Sequence, residues 1–234
     1  MTAPDVLFLH SFGLDGGAAR WLDVPNLVAP TLLGHGPSEP ARPEISLPDM
    51  VEQIAGSLSS PVDVIGCSVG GMLALHLALD HPGLVRSLAL VCTAAWVPRQ
   101  IILDRADETT SASRADFVDS TLQRWFTPAA LTEPAEPVQY AIDRLWAADR
   151  PRLAEVWRAV SRHDVRSRLA EISVPTICIA GRQDISAPPA RSEELKEGIR
   201  SARMVTLSAA HMAYLEQPGP FGTIIRNHLH DVHA

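Results

Sequence analysis

Short apolar runs recur along the chain, separated by stretches whose apolar residues fall at helical intervals. The runs Asp5–His10 (DVLFLH), Asn26–Leu33 (NLVAPTLL), Val62–Gly66 (VDVIG), Ser87–Cys92 (SLALVC), Thr176–Gly181 (TICIAG) and Arg203–Leu207 (RMVTL) are near-continuously apolar. A strand covered on both faces has no wet side to alternate toward, so this pattern predicts strands of a buried parallel sheet. Between them, Pro48–Leu58 opens with Pro and an acidic first turn and then spaces Met50/Val51, Ile54 and Leu58 as a helix does. Gly70–Asp80 is apolar almost all round and reads as a core helix; Pro189–Ile199 and Pro218–His230 are the last two helical stretches. Strand-helix alternation of this kind implies an α/β protein with a three-layer, mostly parallel sheet.

The middle of the chain breaks the rhythm. Residues 94–170 contain no convincing strand but carry three amphipathic helical patterns: Phe117/Val118/Leu122/Trp125/Phe126, Val138/Ala141/Ile142/Leu145/Trp146 and Leu153/Val156/Trp157/Val160. Four of the five Trp fall between positions 96 and 157, so this segment has its own apolar surface to bury. It reads as a helical lid inserted into a core of residues 1–93 and 171–234. The expected position is over the carboxyl edge of the sheet, where open α/β sheets bind ligands. No internal repeat, low-complexity tract or flexible linker interrupts this plan.

Composition narrows the class. The chain has 234 residues, 46% hydrophobic and 20% charged, with a formal charge of 20 − 27 = −7. An acidic balance argues against nucleic acid or an anionic membrane as the main partner. No stretch reaches the ~18 apolar residues of a membrane span, and the first residues lack the basic segment of a signal peptide. Cys67, Cys92 and Cys178 are odd in number and lack CxxC spacing, so a reduced, cytoplasmic setting is expected.

The strongest chemical signal is Gly66-Cys67-Ser68-Val69-Gly70-Gly71, placed between a predicted buried strand and the core helix. In that context G-x-S-x-G predicts a nucleophile elbow, a strand-to-helix turn too tight for side chains at 66 and 70. A serine hydroxyl needs a base, and the base an orienting carboxylate. Asp184 follows the strand Thr176–Gly181 and His211 follows Arg203–Leu207, which completes the order Ser, Asp, His. The oxyanion donors are expected from the backbone N–H groups of Val69 and of Phe12 in the loop His10-Ser11-Phe12-Gly13. Gly13, Gly16 and Gly17 do not form a nucleotide-binding GxGxxG. Cys67, Asp63 and Asp164 are expected to be structural, and His228, His230 and His233 to belong to a frayed, solvated tail. No metal site and no cofactor are expected.

These residues resemble the α/β-hydrolase family along nearly the whole chain: HSFG, LLGHGPS at 32–38, GCSVGG at 66–71, VPTICIAGRQD at 174–184 and HMAYLEQP at 211–218. The fragments VCTAAW (91–96), RWFTPA (124–129), HDVRSRLAEISVPT (163–176) and AGRQDISAPPA (180–190) are similar to the 3-oxoadipate enol-lactonase-like group. The resemblance implies an α/β-hydrolase fold, Ser68 as nucleophile, Asp184 as orienting acid, His211 as general base, and Phe12 and Val69 as oxyanion donors. It also implies Trp125 as a pocket wall from the lid; Trp146, Ser11 and Met212 complete the expected substrate contacts. Arg99, Arg124 and Arg144 each offer a partner for a substrate carboxylate, with nothing to rank them. The implied activity is hydrolysis of a small ester or lactone through an acyl-enzyme. The same triad also supports thioester or C–C bond hydrolysis or a biosynthetic acyl transfer or cyclisation. A ligand-binding or regulatory protein on a hydrolase scaffold is the alternative of another class.

Relatives in this family carry a hairpin before the HSFG strand, where this chain has about four residues, and Gly16–Pro25 is compressed. A core of about six strands with a shortened N-terminus is therefore expected. The sheet edge left on that side is a candidate for self-association.

Overall fold

A computed structural model describes residues 6–36 and 45–234. Asp5 of the first predicted strand, and Pro37 and Ser38 of the LLGHGPS motif, lie outside the described residues. Six strands form one sheet: β1 (Val6–Leu9), β2 (Leu27–Val28), β3 (Val62–Cys67), β4 (Val85–Val91), β5 (Thr176–Gly181) and β6 (Ala202–Leu207). Their order is β2-β1-β3-β4-β5-β6, and every pair is parallel. The expectation of a mostly parallel sheet thus becomes an all-parallel one. Every residue of β1, β3 and β5 is buried. Successive side chains of a strand point to opposite faces, so both faces of these strands are covered.

The elements match the apolar pattern closely where burial is two-sided. The core helix α2 (Val69–Asp80) is buried nearly all round and packs on β1, β3 and β4. Helix α1 (Leu47–Gly56) lies against α2 and starts at Ser46, whose Oγ accepts the Asp49 N–H at 3.2 Å. The predicted strand Asn26–Leu33 shrinks to the two residues of β2. Pro30 has no N–H for the ladder and Asn26 takes a positive φ of 51°, so longer pairing is blocked. The sheet edge expected to need cover is consequently a short template.

Between β4 and β5 the chain forms α3 (Arg99–Ser111), α4 (Arg114–Trp125), α5 (Pro128–Thr132), α6 (Glu136–Ala147) and α7 (Arg150–Val160). The three amphipathic patterns correspond to α4, α6 and α7. Helix α3 carries no such stripe, because its buried residues are only Ile102, Ala106 and Thr109, yet it packs closely along α7. After β5 come α8 (Pro189–Gly198), α9 (Ala213–Glu216) and α10 (Pro218–His233). No helix among the described residues is long and apolar enough to cross a membrane.

The tail overturns one expectation. Helix α10 runs on to His233, His228 is buried, and His233 Nε2 lies 2.8 Å from Asp63 Oδ2. The anchor is a buried carboxylate on β3. A register shift at Val62/Asp63 sets Asp63 opposite Ser87 on β4 and leaves Arg86 as the extra residue. Ser87 Oγ donates to Asp63 Oδ1 at 2.7 Å and Arg86 Nη2 to Oδ2 at 2.9 Å. Burial by itself would push the Asp63 carboxyl up, but the hydrogen bonds from Ser87, Arg86 and His233 outweigh it and hold the group below its ordinary range. Its stabilising contribution is therefore complete above the unfolded carboxylate pKa and lost as pH falls through the depressed folded value. We expect Asp63→Asn to cost about 1–3 kcal/mol at neutral pH. Denaturant melts of both proteins should show the difference narrowing below pH ~4; a pH-independent difference would contradict the charge-based account.

Candidate active site

The strand order reverses at β1, which pairs with β2 on one side and β3 on the other. Loops leaving the carboxyl ends of β1 and β3 diverge there and open a crevice. The turn after β3 is sharp. Ser68 takes φ 54° and ψ −117°, a conformation that an L-residue adopts only at a cost of about 1–3 kcal/mol. A Cβ at position 66 would lie 2.5 Å from the Gly70 carbonyl oxygen, and one at position 70 would lie 2.0 Å from the Leu9 carbonyl oxygen. Glycine is thus required at both places by backbone contact. The turn is pinned by the Ser68 N–H to the Val91 carbonyl at 2.9 Å and by Thr93 Oγ1, which donates to the Ser68 carbonyl at 2.7 Å.

The three predicted side chains meet. His211 Nε2 lies 2.9 Å from Ser68 Oγ, and His211 Nδ1 lies 2.7 Å from Asp184 Oδ2. An ionised carboxylate only accepts, which assigns the imidazole proton to Nδ1 and leaves Nε2 to accept from the serine. Asp184 is held by its own turn: Oδ1 accepts the N–H groups of Ser186 at 2.7 Å and Ala187 at 2.9 Å. All three residues are buried.

Val69 begins α2, so its N–H belongs to the donors that a helix start leaves unsatisfied. Phe12 lines the cleft beside Ser68, and neither amide has a backbone acceptor among the described residues. The Phe12 ring stacks on Trp157 at 4.1 Å between centroids, so the β1 loop leans on helix α7.

Ser68 and His211 open into a cleft of about 240 Å³ whose walls include Phe12, Met72, Trp96, Ile102, Trp125 and Trp157. Trp125 forms a wall as expected. Three other expected contacts do not. Trp146 is 47% exposed on the outside of α6, since the stripe that packs inward runs through Val138, Ala141 and Leu145. Ser11 is wholly buried beneath the β1 loop, away from the cleft walls. Met212 is buried too, and its role is in the backbone: its N–H donates to the Trp125 carbonyl at 2.9 Å. Of Arg99, Arg124 and Arg144, the three arginines singled out from the sequence, Arg124 reaches the cleft. Arg144 pairs with Asp15 at 2.9 Å elsewhere, and Arg99 is exposed at the start of α3.

Several site residues escaped the sequence reading. Glu216 accepts the Ala210 N–H at 3.0 Å and the Thr127 hydroxyl, bracing the His211 loop against α5. Arg105, from the unpredicted helix α3, lines the cleft. Neither carries a local signal, because each is defined by a partner distant in the chain. Cys92, Asp184 and His211 present potential metal-ligand atoms within 4.8 Å of one another. The Asp184 and His211 atoms already bond each other, and burial pushes the Cys92 thiol well above its ordinary value, against the thiolate a metal needs. Burial likewise pushes the Cys67 thiol up to about 12, as suits a packing residue.

A sequence profile of the Alpha/beta hydrolase family matches residues 6–222. Among curated relatives, a pimeloyl-[acyl-carrier protein] methyl ester esterase of Neisseria meningitidis is 28% identical over 210 residues, covering 86% of this chain and 82% of that protein. The 3-oxoadipate enol-lactonase 1 of Acinetobacter baylyi is 28% identical over 229 residues, covering 94% and 86%. The crystal structure of a hydrolase from Pseudomonas aeruginosa PA01 superposes with a TM-score of 0.90 at 27% identity, covering 97% of this chain and 90% of that one.

The floor beneath Phe12 is built from neutral histidines. The Leu32 N–H donates to His10 Nε2 at 2.9 Å, and the His35 ring packs edge-on against both His10 and Phe12. Burial lowers His10 to about 4 and His35 to about 3; in the helical insertion, burial lowers His163 to about 4. The unfolded chain binds protons at these groups below pH ~6.5 while the folded chain does not. Their contribution is therefore present above that pH and lost as pH falls toward the folded values. We expect net proton uptake on unfolding near pH 5.5, reduced in His35→Gln, by calorimetry in buffers of different ionisation enthalpy. Absence of uptake in the wild type would contradict neutral burial.

Proposed function

This chain belongs to the alpha/beta hydrolase family, and from that premise we propose that it is a serine hydrolase cleaving a small carboxylic ester or lactone through an acyl-enzyme. The observation that carries the reading is the continuous hydrogen-bonded relay from Ser68 Oγ through His211 to Asp184. In the first half-reaction His211 Nε2 takes the Ser68 proton as Oγ attacks the substrate carbonyl carbon. The carbonyl oxygen gains negative charge, which the Phe12 and Val69 N–H groups stabilise. Asp184 keeps the imidazolium oriented and balances its charge. Collapse breaks the bond to the leaving oxygen, which receives the proton from His211; for a lactone that alcohol stays attached to the acyl group. Water then attacks the acyl-enzyme with His211 again as base, releasing the acid and restoring Ser68.

The helices of residues 94–170 act in this reading as a lid. They supply Trp125 and Trp157 to the cleft and tie its roof to the catalytic loop through the Trp125 carbonyl. Excluding water strengthens each electrostatic contact in the site. The two named activities among the relatives, on an open-chain methyl ester and on an enol-lactone, both break an acyl–oxygen bond and both suit this machinery.

A fluorophosphonate should label Ser68 in the folded protein, and mass spectrometry of the tryptic peptide locates the adduct. Ser68→Ala and His211→Ala should each lower kcat on a p-nitrophenyl ester by about 10³-fold or more. Full activity in Ser68→Ala would end the proposal. A panel pairing open-chain esters with lactones of equal carbon count then separates the two bond classes by kcat/KM.

A further inference from the structure

The arginines that line the cleft holding Ser68 and His211 include Arg105 from α3 and Arg124 from the last turn of α4. Among the described residues neither has a carboxylate at ion-pair distance, whereas Arg191 on the same wall pairs with Glu194 at 3.5 Å and covers the Trp96 ring at 4.0 Å. Arg124 Nη2 has a neutral partner, Thr121 Oγ1 at 3.1 Å. The Arg105 guanidinium lies 5.8 Å from the centre of the Trp157 ring, which in turn stacks on Phe12. That stack fixes the cation's position relative to the loop that presents the Phe12 amide.

Two cations partly withdrawn from water and facing one space repel each other and lose hydration. Burial pushes both guanidinium groups down from their ordinary range, and in Arg124 the charge of Arg105 adds to it. Glu108 attracts both from outside ion-pair range, and Asp184 attracts Arg105, but Asp184 already serves His211. A carboxylate entering between the two arginines would supply the missing countercharge, and the planar fork of a guanidinium suits it. A cleft of about 240 Å³ admits a short acid rather than a bulky one. We propose that Arg105 and Arg124 form an anion subsite, so that the substrate is a half-ester or lactone bearing a free carboxylate on its acyl part. This rests on the serine-hydrolase reading, since the subsite is defined relative to an acyl group on Ser68.

Monomethyl glutarate and dimethyl glutarate test it, because they differ only in the charge at the far end. We expect kcat/KM to favour the half-ester by about tenfold or more, the size of a charge-assisted hydrogen bond, with the preference shrinking as salt is added. In Arg105→Gln and Arg124→Gln proteins that still take up the fluorophosphonate, the half-ester to diester ratio should fall toward one, and Arg124→Lys should recover part of it. Glutarate should inhibit competitively and inorganic phosphate more weakly. Equal turnover of the two esters by wild type that labels at Ser68 would overturn the subsite and leave the hydrolase reading standing. Tighter inhibition by phosphate would overturn the choice of carboxylate. Failure of Ser68 to label would instead fall on the hydrolase reading.

Discussion

The carbonyl oxygen of Leu9 and the α-carbon of Gly70 are so close that no side chain fits between them. The rest of the site depends on that contact between the end of β1 and the start of α2. It turns the chain through the narrow angle that leaves Ser68 at positive φ, with its hydroxyl at the mouth of the crevice. It also draws the β1 loop, and with it Phe12, to the side of Ser68 where the first N–H of α2 emerges. One steric constraint therefore positions the candidate nucleophile and both candidate amides. The strain at Ser68 is offset by the apolar burial of β3 and α2, whose residues are almost all enclosed.

Charge is handled differently in the two halves of the site. On the sheet side every buried titratable group has a partner or is neutral: Asp184 accepts three hydrogen bonds, and His10 and His35 stay uncharged beneath Phe12. On the helical side Arg105 and Arg124 are half-buried, with no carboxylate at ion-pair distance among the described residues. The asymmetry places a fixed negative charge behind His211 and positive charge across the cleft from it. Hydrogen bonds from backbone and side chain keep the halves in register. The Met212 N–H meets the Trp125 carbonyl, and Glu216 joins the His211 loop to Thr127. A shift of α4 would thus move the loop carrying His211 as well as the cleft wall.

Legibility followed the range of the determining interaction. The elbow is specified within six residues, since its glycines answer contacts made by the turn itself and by the strand beside it. The strands were readable because two-sided burial leaves an unbroken apolar run. Helix α3 was not, as its buried residues are Ile102, Ala106 and Thr109, of which Ile102 alone is a large apolar side chain. The tail was misread for a related reason: its order comes from Asp63, a buried carboxylate 170 residues away in sequence.

From the sequence alone came the parallel sheet, the insertion between its fourth and fifth strands, and the order Ser68, Asp184, His211. Each rests on local backbone geometry or on residues placed at strand ends, where the sheet itself dictates direction. Tertiary packing decided which side chains of the insertion look into the cleft. An amphipathic helix states that one face is buried, without stating against what. Trp125 therefore became a wall while Trp146 faced solvent, and Arg105 with Arg124 entered the site while Arg144 paired with Asp15. Those choices follow from how α3, α4, α6 and α7 cross one another and the sheet, and no stretch of residues contains that arrangement by itself.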